Sequence, residues 1–312
     1  MKIINLLAAT ALAFSSMAAQ AASSATEDQG TSNVRVHLLG TGSPLPQTFR
    51  FGPSTLVEAG GKKFLFDSGR GVIQRLYSLD IPFNDVDKLF LTHLHSDHTI
   101  GIPDLYLTGW VRGRKVPLRV WGPEGTAKMM NGLAEAFDYD IKTRIEQNPG
   151  SQVDAIDIVP GVVYDQDGVT ITAFTVDHPP LESAFGYKIE SQGRTVVLSG
   201  DTRYSETVVE QSKGADLLVH EVAAASDKLM ASSPIIPKIV AKHTEPEDAG
   251  KVFSDSGVRM AVYSHIVLFD VTEKELEERT RKTYDGPLVI GEDLMTFDIG
   301  DEITVSTTEP SE

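Results

Sequence analysis

The sequence predicts an α/β domain in which mixed β-sheets are covered by helices. Two observations indicate this class: strand and helix patterns alternate along the chain, and hairpin signals occur among them. The apolar fraction of 41% and the charged fraction of 23% are typical of a globular chain. Because no linker or repeat is evident after Ser32, we predict a single domain over residues 33–305 and a polar tail at 306–312.

The elements of this domain are assigned from local patterns in chain order. Alternating or continuous apolar runs predict strands, and Gly60-Gly61 and Gln192-Gly193 predict hairpin turns between neighbouring strands. The predicted strands are VRVHLL, STLVEAG, KKFLFD, DKLFLTH, PLRVWG, VTITAFTVDH, AFGYKIES, RTVVLSGD, ADLLVHE and RMAVYSH. The predicted helices are SGRGVIQRLYSL, PEGTAKMMNGLAEAF, SETVVEQSKG and EPEDAGKVFSDSG.

The N-terminus has the pattern of an export signal. Met1-Lys2 gives a positive start, an apolar run follows, and Ala19-Gln20-Ala21 has the small-x-small form of a signal-peptidase site. The apolar run is too short for a membrane span of about 20 residues. We predict a signal peptide at residues 1–21, a disordered mature N-terminus at 22–32 and a periplasmic or secreted location, with no membrane association after cleavage.

Composition narrows the classes of partner and chemistry. The formal charge is −16, and a strongly acidic surface repels phosphate backbones, so we expect no nucleic-acid partner. The chain has no cysteine, which is compatible with an oxidising compartment. The same absence excludes a thiol nucleophile, a thiolate metal site and the sulfatases that make their nucleophile from cysteine.

Three of the eight histidines lie in one short stretch, LTHLHSDHTIG. His93 and His95 end an apolar strand, and their spacing of two directs both side chains to the same side. The turn that follows can direct Asp97 and His98 toward a second point. Because imidazole and carboxylate together suit zinc, the stretch offers two ligands to each of two adjacent metal ions.

Three later residues are candidates to complete these two sites. His178, Asp201 and His265 each end an apolar strand, so all three can be presented at the same sheet edge as the cluster. We predict that His178 joins His93 and His95, that His265 joins Asp97 and His98, and that Asp201 bridges. The predicted cofactor is two Zn²⁺ per chain.

The series THLHSDH, His178, Asp201 in SGDTR and His265 resembles the metallo-β-lactamase superfamily. The resemblance covers nearly the whole predicted mature chain. It implies a four-layer αβ/βα sandwich with metal ions at one edge of the sheets. It also implies that Asp67, in LFDSG, supports the metal ligands from behind.

Further motifs, including LLGTGSP, FGYKI and SGDTR, resemble the ribonuclease Z branch of that superfamily. In this branch a glutamate and a downstream histidine form a proton-donating pair, which implies that role for Glu221 and His243. The local sequences VHEVA and KHT stand here in place of the HEAT and HST of the branch. Asp97 is a third catalytic candidate, because it can orient the attacking hydroxide or accept its proton besides binding metal.

Two features lead us to expect a substrate other than tRNA. Bacterial ribonuclease Z carries a long tRNA-gripping arm between the FGY and GD strands, whereas FGYKIESQGRTVVLSGD predicts only a tight hairpin. Predicted export and the acidic charge also separate the chain from tRNA. With the stretches RFGPSTLVEAGG and SGDTRYSE, the chain is most similar to exported arylsulfatase members of the branch.

We therefore predict an exported dinuclear zinc hydrolase that cleaves a small anionic sulfate ester by attack of a hydroxide shared between the metals. Arg203, two residues beyond Asp201, is a candidate contact for the substrate anion. The alternatives are a phosphodiesterase of the ribonuclease Z type acting on small phosphodiesters, a lactonase or β-lactamase, and a metal-binding protein without catalysis.

Selectivity is expected to reside in three predicted loops, at residues 44–51, 108–115 and 226–242. The last contains the apolar, proline-containing sequence MASSPIIPK. From the sequence this loop serves either as a lid or as the contact of a homodimer, and both interpretations stay open.

Overall fold

The computed structural model describes residues 34–144 and 148–309. The predicted signal peptide, the segment 22–32 and the last three residues of the predicted tail lie outside the described residues. Within the two described ranges, no helix is both long enough and apolar enough to cross a membrane.

The described ranges form strands and helices that alternate along the chain, with hairpins among them. The strands are β1 (Val34–Gly40), β2 (Ser54–Ala59), β3 (Lys62–Phe66), β4 (Lys88–Phe90), β5 (Leu118–Gly122), β6 (Val153–Asp157), β7 (Gly161–Gln166), β8 (Val169–Thr175), β9 (Phe185–Ser191), β10 (Arg194–Leu198), β11 (Leu217–Ala225), β12 (Met260–Phe269), β13 (Leu288–Ile290), β14 (Met295–Ile299) and β15 (Ile303–Thr307). The helices are α1 (Val72–Ser78), α2 (Ser96–Thr99), α3 (Ile102–Val111), α4 (Thr126–Ala136), α5 (Asp138–Thr143), α6 (Glu206–Gln211), α7 (Asp227–Ser232), α8 (Ile236–Val240), α9 (Pro246–Ser256) and α10 (Glu273–Thr280).

The strands build two mixed sheets. The first has the order β15-β14-β1-β2-β3-β4-β5-β6, and the second has the order β13-β12-β11-β10-β9-β8-β7. Pairing is parallel from β3 to β6 and from β10 to β13, and antiparallel elsewhere. Because parallel strands present their carboxyl ends at one edge, the segments that follow β3, β4 and β10 can meet there.

Three apolar clusters hold the layers together. The central cluster contains buried side chains of both sheets, among them Phe90 and Tyr187, whose ring centroids lie 5.8 Å apart. A second cluster, with Leu105 of α3, packs helices on the first sheet, and a third, with Phe253 of α9, packs helices on the second sheet. This arrangement is the αβ/βα sandwich that the sequence predicted.

Local structure departs from the sequence predictions at several points. β4 ends at Phe90 and β8 ends at Thr175, so His93 and His178 lie on irregular segments beyond the strands. The predicted loop 226–242 contains the helices α7 and α8, and part of the predicted loop 108–115 belongs to α3. The predicted hairpin between β9 and β10 is present, with Gln192 and Gly193 both at positive φ.

Candidate metal centre

The first group of predicted ligands comes together where β4 and β8 end. His93 and His95 lie between β4 and α2, and His93 Nε2 is 2.9 Å from His95 Nδ1. His178 completes this group, and one ligand atom from each of the three residues lies within 4.8 Å of the others. The three imidazoles therefore lie close enough to face one point.

Asp97, His98 and His265 form a second group, in which one ligand atom from each residue also lies within 4.8 Å of the others. Asp97 Oδ2 lies 3.3 Å from His265 Nε2 and 3.5 Å from His98 Nε2. Asp201 lies between the two groups, because its Oδ2 is 3.9 Å from His93 Nε2 and 3.4 Å from His265 Nε2. All seven predicted ligands are thus adjacent, although their binding of metal stays a prediction.

Unusual backbone conformations direct several of these side chains inward. Asp67 and His265 have φ values of 58° and 44°, a region that costs a non-glycine residue roughly 1 kcal/mol or more. Gly200, immediately before Asp201, also has positive φ, and a Cβ there would lie 2.5 Å from Phe185 O. Only glycine therefore lets the chain deliver Asp201 along this path.

The outer ring nitrogens orient the imidazoles. His98 Nδ1 lies 2.8 Å from Asp67 Oδ2, and His178 Nδ1 lies 3.1 Å from Lys242 O. Asp67 also accepts hydrogen bonds from Thr92 N and Thr92 Oγ1, both at 2.8 Å. Thr92 Oγ1 in turn lies 3.0 Å from His93 Nδ1. A proton fixed on the outer nitrogen leaves the inner nitrogen free to bind a metal. The contacts of Asp67 with Thr92 and His98 are those expected of a residue that supports metal ligands from behind.

The residues present fit divalent cations. His98 Nε2 and Asp201 Oδ1 are buried and make no hydrogen bond within the described part of the chain. Four buried carboxylates meet here, and their ion-pair partners among the described residues are histidines, with no lysine or arginine. They are those of Asp67, Asp97, Asp201 and Glu221. Glu221 is paired with His243, and because uncompensated buried charge is costly, divalent cations would offset the charge of the other three carboxylates.

Protonation preferences follow from the same packing. Burial, helped by the neighbouring His98, holds the pKa of His93 well below its usual value and keeps this imidazole neutral. Burial would also lower the pKa of His98, but the carboxylates of Asp201 and Asp67 outweigh it and raise that pKa well above its usual value. A cation held by Asp201 would therefore take the place of a proton on His98.

Glu221 and His243 form a buried pair beside the two groups. His243 Nδ1 lies 3.1 Å from Glu221 Oε2, and Thr244 N donates to Glu221 Oε1 at 2.8 Å. Burial lowers the pKa of His243, but the charge and hydrogen bond of Glu221, with the charge of Asp201, together outweigh burial and raise it to about 9. His243 also lies within 4.8 Å of His178 and Asp201, measured between possible ligand atoms. Its imidazole therefore carries a proton at neutral pH, next to the candidate metal ligands.

Arg203 forms an ion pair with a nearby carboxylate. Its guanidinium donates two hydrogen bonds to the carboxylate of Asp177, the residue before His178, and both side chains are substantially exposed. A contact between Arg203 and a substrate stays a prediction.

Sequence reasoning missed three groups that orient the site: the Thr92 hydroxyl, the Thr244 amide and the Lys242 carbonyl. Their only signal in the sequence is adjacency to His93 and His243. Backbone groups in particular carry no mark of residue type, so their role appears only in three dimensions.

Comparison with known proteins defines the class. The family described as "Beta-lactamase superfamily domain" matches residues 62–266, a range that contains all seven predicted ligands. The metallo-β-lactamase fold protein YhfI from Bacillus subtilis shares the fold with a TM-score of 0.67 at 19% identity, covering 85% of this chain and 99% of that chain. The chain belongs to the metallo-β-lactamase superfamily, in its ribonuclease Z-like branch, and is a metal-dependent hydrolase whose fold implies a divalent metal, typically zinc.

The branch is defined by relatives of similar length. Ribonuclease Z of Mycobacterium sp. (strain KMS) is 36% identical over 274 residues, which cover 85% of this chain and 96% of the relative. Ribonuclease Z of Mycobacterium avium (strain 104) is 37% identical over 270 residues, with 84% and 96% covered. The short form of human tRNase Z shares the fold, with a TM-score of 0.64 at 22% identity, covering 84% of this chain and 98% of that chain.

These relatives correct one expectation. The sequence analysis predicted a small anionic ester as substrate and no nucleic-acid partner, and this prediction is wrong, since the chain matches 96% of the length of proteins named ribonuclease Z. The physical error was to infer local binding from net charge, which averages over the whole surface while binding depends on the local field. The arylsulfatase resemblance has no support among the relatives named above.

Proposed function

We propose that this chain is a dinuclear zinc phosphodiesterase that hydrolyses phosphodiester bonds in RNA. The observation that carries the proposal is the position of Asp201 between two groups of candidate ligands, next to the Glu221–His243 pair. Similarity to ribonuclease Z favours phosphodiester cleavage over the sulfate-ester chemistry predicted from the sequence. The same similarity favours phosphodiester cleavage over the lactonase, β-lactamase and non-catalytic alternatives.

The ligand groups assign the metal-binding roles. His93, His95 and His178 would hold one ion, Asp97, His98 and His265 would hold the other, and Asp201 would be shared. When bound, two divalent cations activate water and stabilise negative charge on a phosphoryl group.

The remaining roles fall to protein groups around the cluster. Burial raises the pKa of Asp97, but the hydrogen bond with His265 and the charges of His98 and His265 together outweigh burial and lower the pKa. Asp97 therefore stays ionised and can orient the attacking water. As the P–O bond breaks, His243 gives its ring proton to the departing ribose oxygen. Glu221 fixes the orientation of that ring and stabilises its charged form.

A paired assay tests this function. The zinc-loaded protein is given labelled RNA, bis-p-nitrophenyl phosphate and p-nitrophenyl sulfate, of which the last two share a leaving group and differ in the central atom. We expect cleavage of the RNA and of the phosphodiester with a clearly higher kcat/KM than the sulfate, and loss of both activities in chelator. A preference for the sulfate, or no cleavage of RNA, would refute the proposal.

A further inference from the structure

A protein of net charge −16 needs a local cationic surface in order to hold an RNA backbone. The segment 226–244, which lies between Glu221 and α9, carries three lysines against the single acidic residue Asp227. Its charge is therefore +2, whereas the remainder of the chain carries −18. The segment is a positive region on a protein of negative net charge.

This positive region adjoins the candidate metal centre. The last turn of α8 continues to His243, because Lys242 N donates to Ile239 O at 2.9 Å and His243 N donates to Val240 O at 3.0 Å. Lys242 O contacts His178 Nδ1 at 3.1 Å. Lys238 lies four residues earlier in the chain, within α8. Both lysines therefore belong to the segment that ends at the cluster.

The ammonium groups of this region are available to a ligand. Across residues 34–144 and 148–309, no carboxylate pairs with Lys228, Lys238 or Lys242, whereas Lys213 and Lys251 are paired with glutamate or aspartate. Lys228 and Lys238 are exposed, and Lys242 is half-buried.

We propose that Lys238 and Lys242 bind phosphates of the RNA strand that flank the bond to be cleaved. The proposal rests on the function proposed above and specifies where the substrate strand is held. It is supported by charge complementarity and by the contact of the Lys242 carbonyl with His178, which brings this segment to the cluster. Contacts of this kind position a strand without reading its sequence.

The test compares the wild type, the double variant K238Q/K242Q and the control K62Q/K213Q, all zinc-loaded, on labelled RNA and on bis-p-nitrophenyl phosphate. The control removes two exposed lysines near the amino ends of β3 and β11, away from the cluster, and changes the net charge equally. For K238Q/K242Q we expect KM for RNA to rise roughly tenfold and the slope of log KM against log salt to fall by about one to two. The rise in KM should be much smaller for the small diester than for RNA, because the diester has no flanking phosphates.

The outcomes separate this proposal from the proposed function. If the wild type cleaves RNA but K238Q/K242Q keeps its KM and salt slope, the lysine contact is refuted and the function stands. If the control shifts as much as the double variant, or if KM for the small diester rises equally, the lysine contact is also refuted. If the wild type does not cleave RNA, the proposed function itself fails, whether or not the small diester is cleaved.

Discussion

At the scale of single residues, function depends on which groups can move a proton. The ring of His243 is fixed by Glu221, which is itself held by the Thr244 amide at 2.8 Å and by the more distant Thr202 amide at 3.4 Å. A carboxylate held in this way orients the imidazole and stabilises its charged form. The pair therefore matters most when the leaving oxygen is strongly basic.

His243→Ala should separate the two phosphodiester substrates. We expect kcat on RNA to fall about 10²- to 10⁴-fold, because the ribose alkoxide needs a proton as it leaves. Activity on bis-p-nitrophenyl phosphate should fall far less, because p-nitrophenolate is a good leaving group without protonation. Steady-state kinetics on both substrates, with bound zinc measured as the control, provide the check. An equal loss on both substrates at full zinc content would count against a proton-donating role.

At the scale of elements, a bulge between β11 and β12 aims residues at the cluster. His220 pairs with Tyr263 and Val222 pairs with Ile266, so the single residue Glu221 lies opposite both Ser264 and His265. Such a bulge changes the direction of side chains, and here it directs Glu221 and His265 toward one place.

On the outer layer, Arg279 of α10 joins α9 by hydrogen bonds of 2.7–3.0 Å to the Glu247 carboxylate.

The Arg279–Glu247 contact predicts a pH-dependent contribution to stability. Burial would raise the pKa of Glu247, but the hydrogen bonds from Arg279 and Lys282, a backbone hydrogen bond and the charge of Arg279 together outweigh burial and lower it from 4.5 to about 2. Because the folded-state pKa is depressed, the stabilisation is complete above about pH 4.5 and is lost as the pH falls toward 2. Glu247→Gln should therefore be less stable than the wild type at pH 7, and the difference should shrink over that window.

Urea unfolding of both proteins in chelator, from pH 7 downward, measures this difference. Glu277→Gln is the matched control, since Glu277 forms an exposed pair with Arg281 at 3.3 Å and such pairs contribute little. A difference in unfolding free energy between Glu247→Gln and the wild type that stays constant down to pH 2 would contradict the predicted pH dependence.

At the scale of the whole molecule, the candidate centre joins the two halves of the sandwich. His93 and His98 follow β4 of the first sheet, whereas Asp201 and His265 come from the second sheet. A metal that binds only the folded state stabilises it by mass action, by about 4 kcal/mol at a free concentration a thousand times Kd. The metal is therefore expected to act on the stability of the entire domain.

Removal of zinc should lower Tm by roughly 10 °C, because a loss of about 4 kcal/mol of unfolding free energy corresponds to a shift of that size in a domain of this length.

Asp201→Ala should bind less zinc, and its Tm should respond much less to chelator, because the shared ligand is missing. Thermal scans with and without chelator, together with zinc stoichiometry, check this expectation. Full zinc content in Asp201→Ala would refute the bridging role.

The sequence alone determined the fold class and the set of candidate ligands. The spacing of His93, His95, Asp97 and His98 is a local pattern, and alternating apolar runs define strands and helices because side-chain direction follows the backbone period. Net charge, by contrast, misled the prediction of the partner, since it carries no information on where the lysines lie.

Only the tertiary structure decided which distant residues meet. Asp97 and His265 are 168 positions apart, and their contact depends on sheet order and on the bulge opposite Glu221. The contact of the Lys242 carbonyl with His178 likewise follows from the packing of a segment that the sequence predicted as a loop. The physical reason is that local sequence sets local geometry, whereas proximity across the chain is set by how the layers pack.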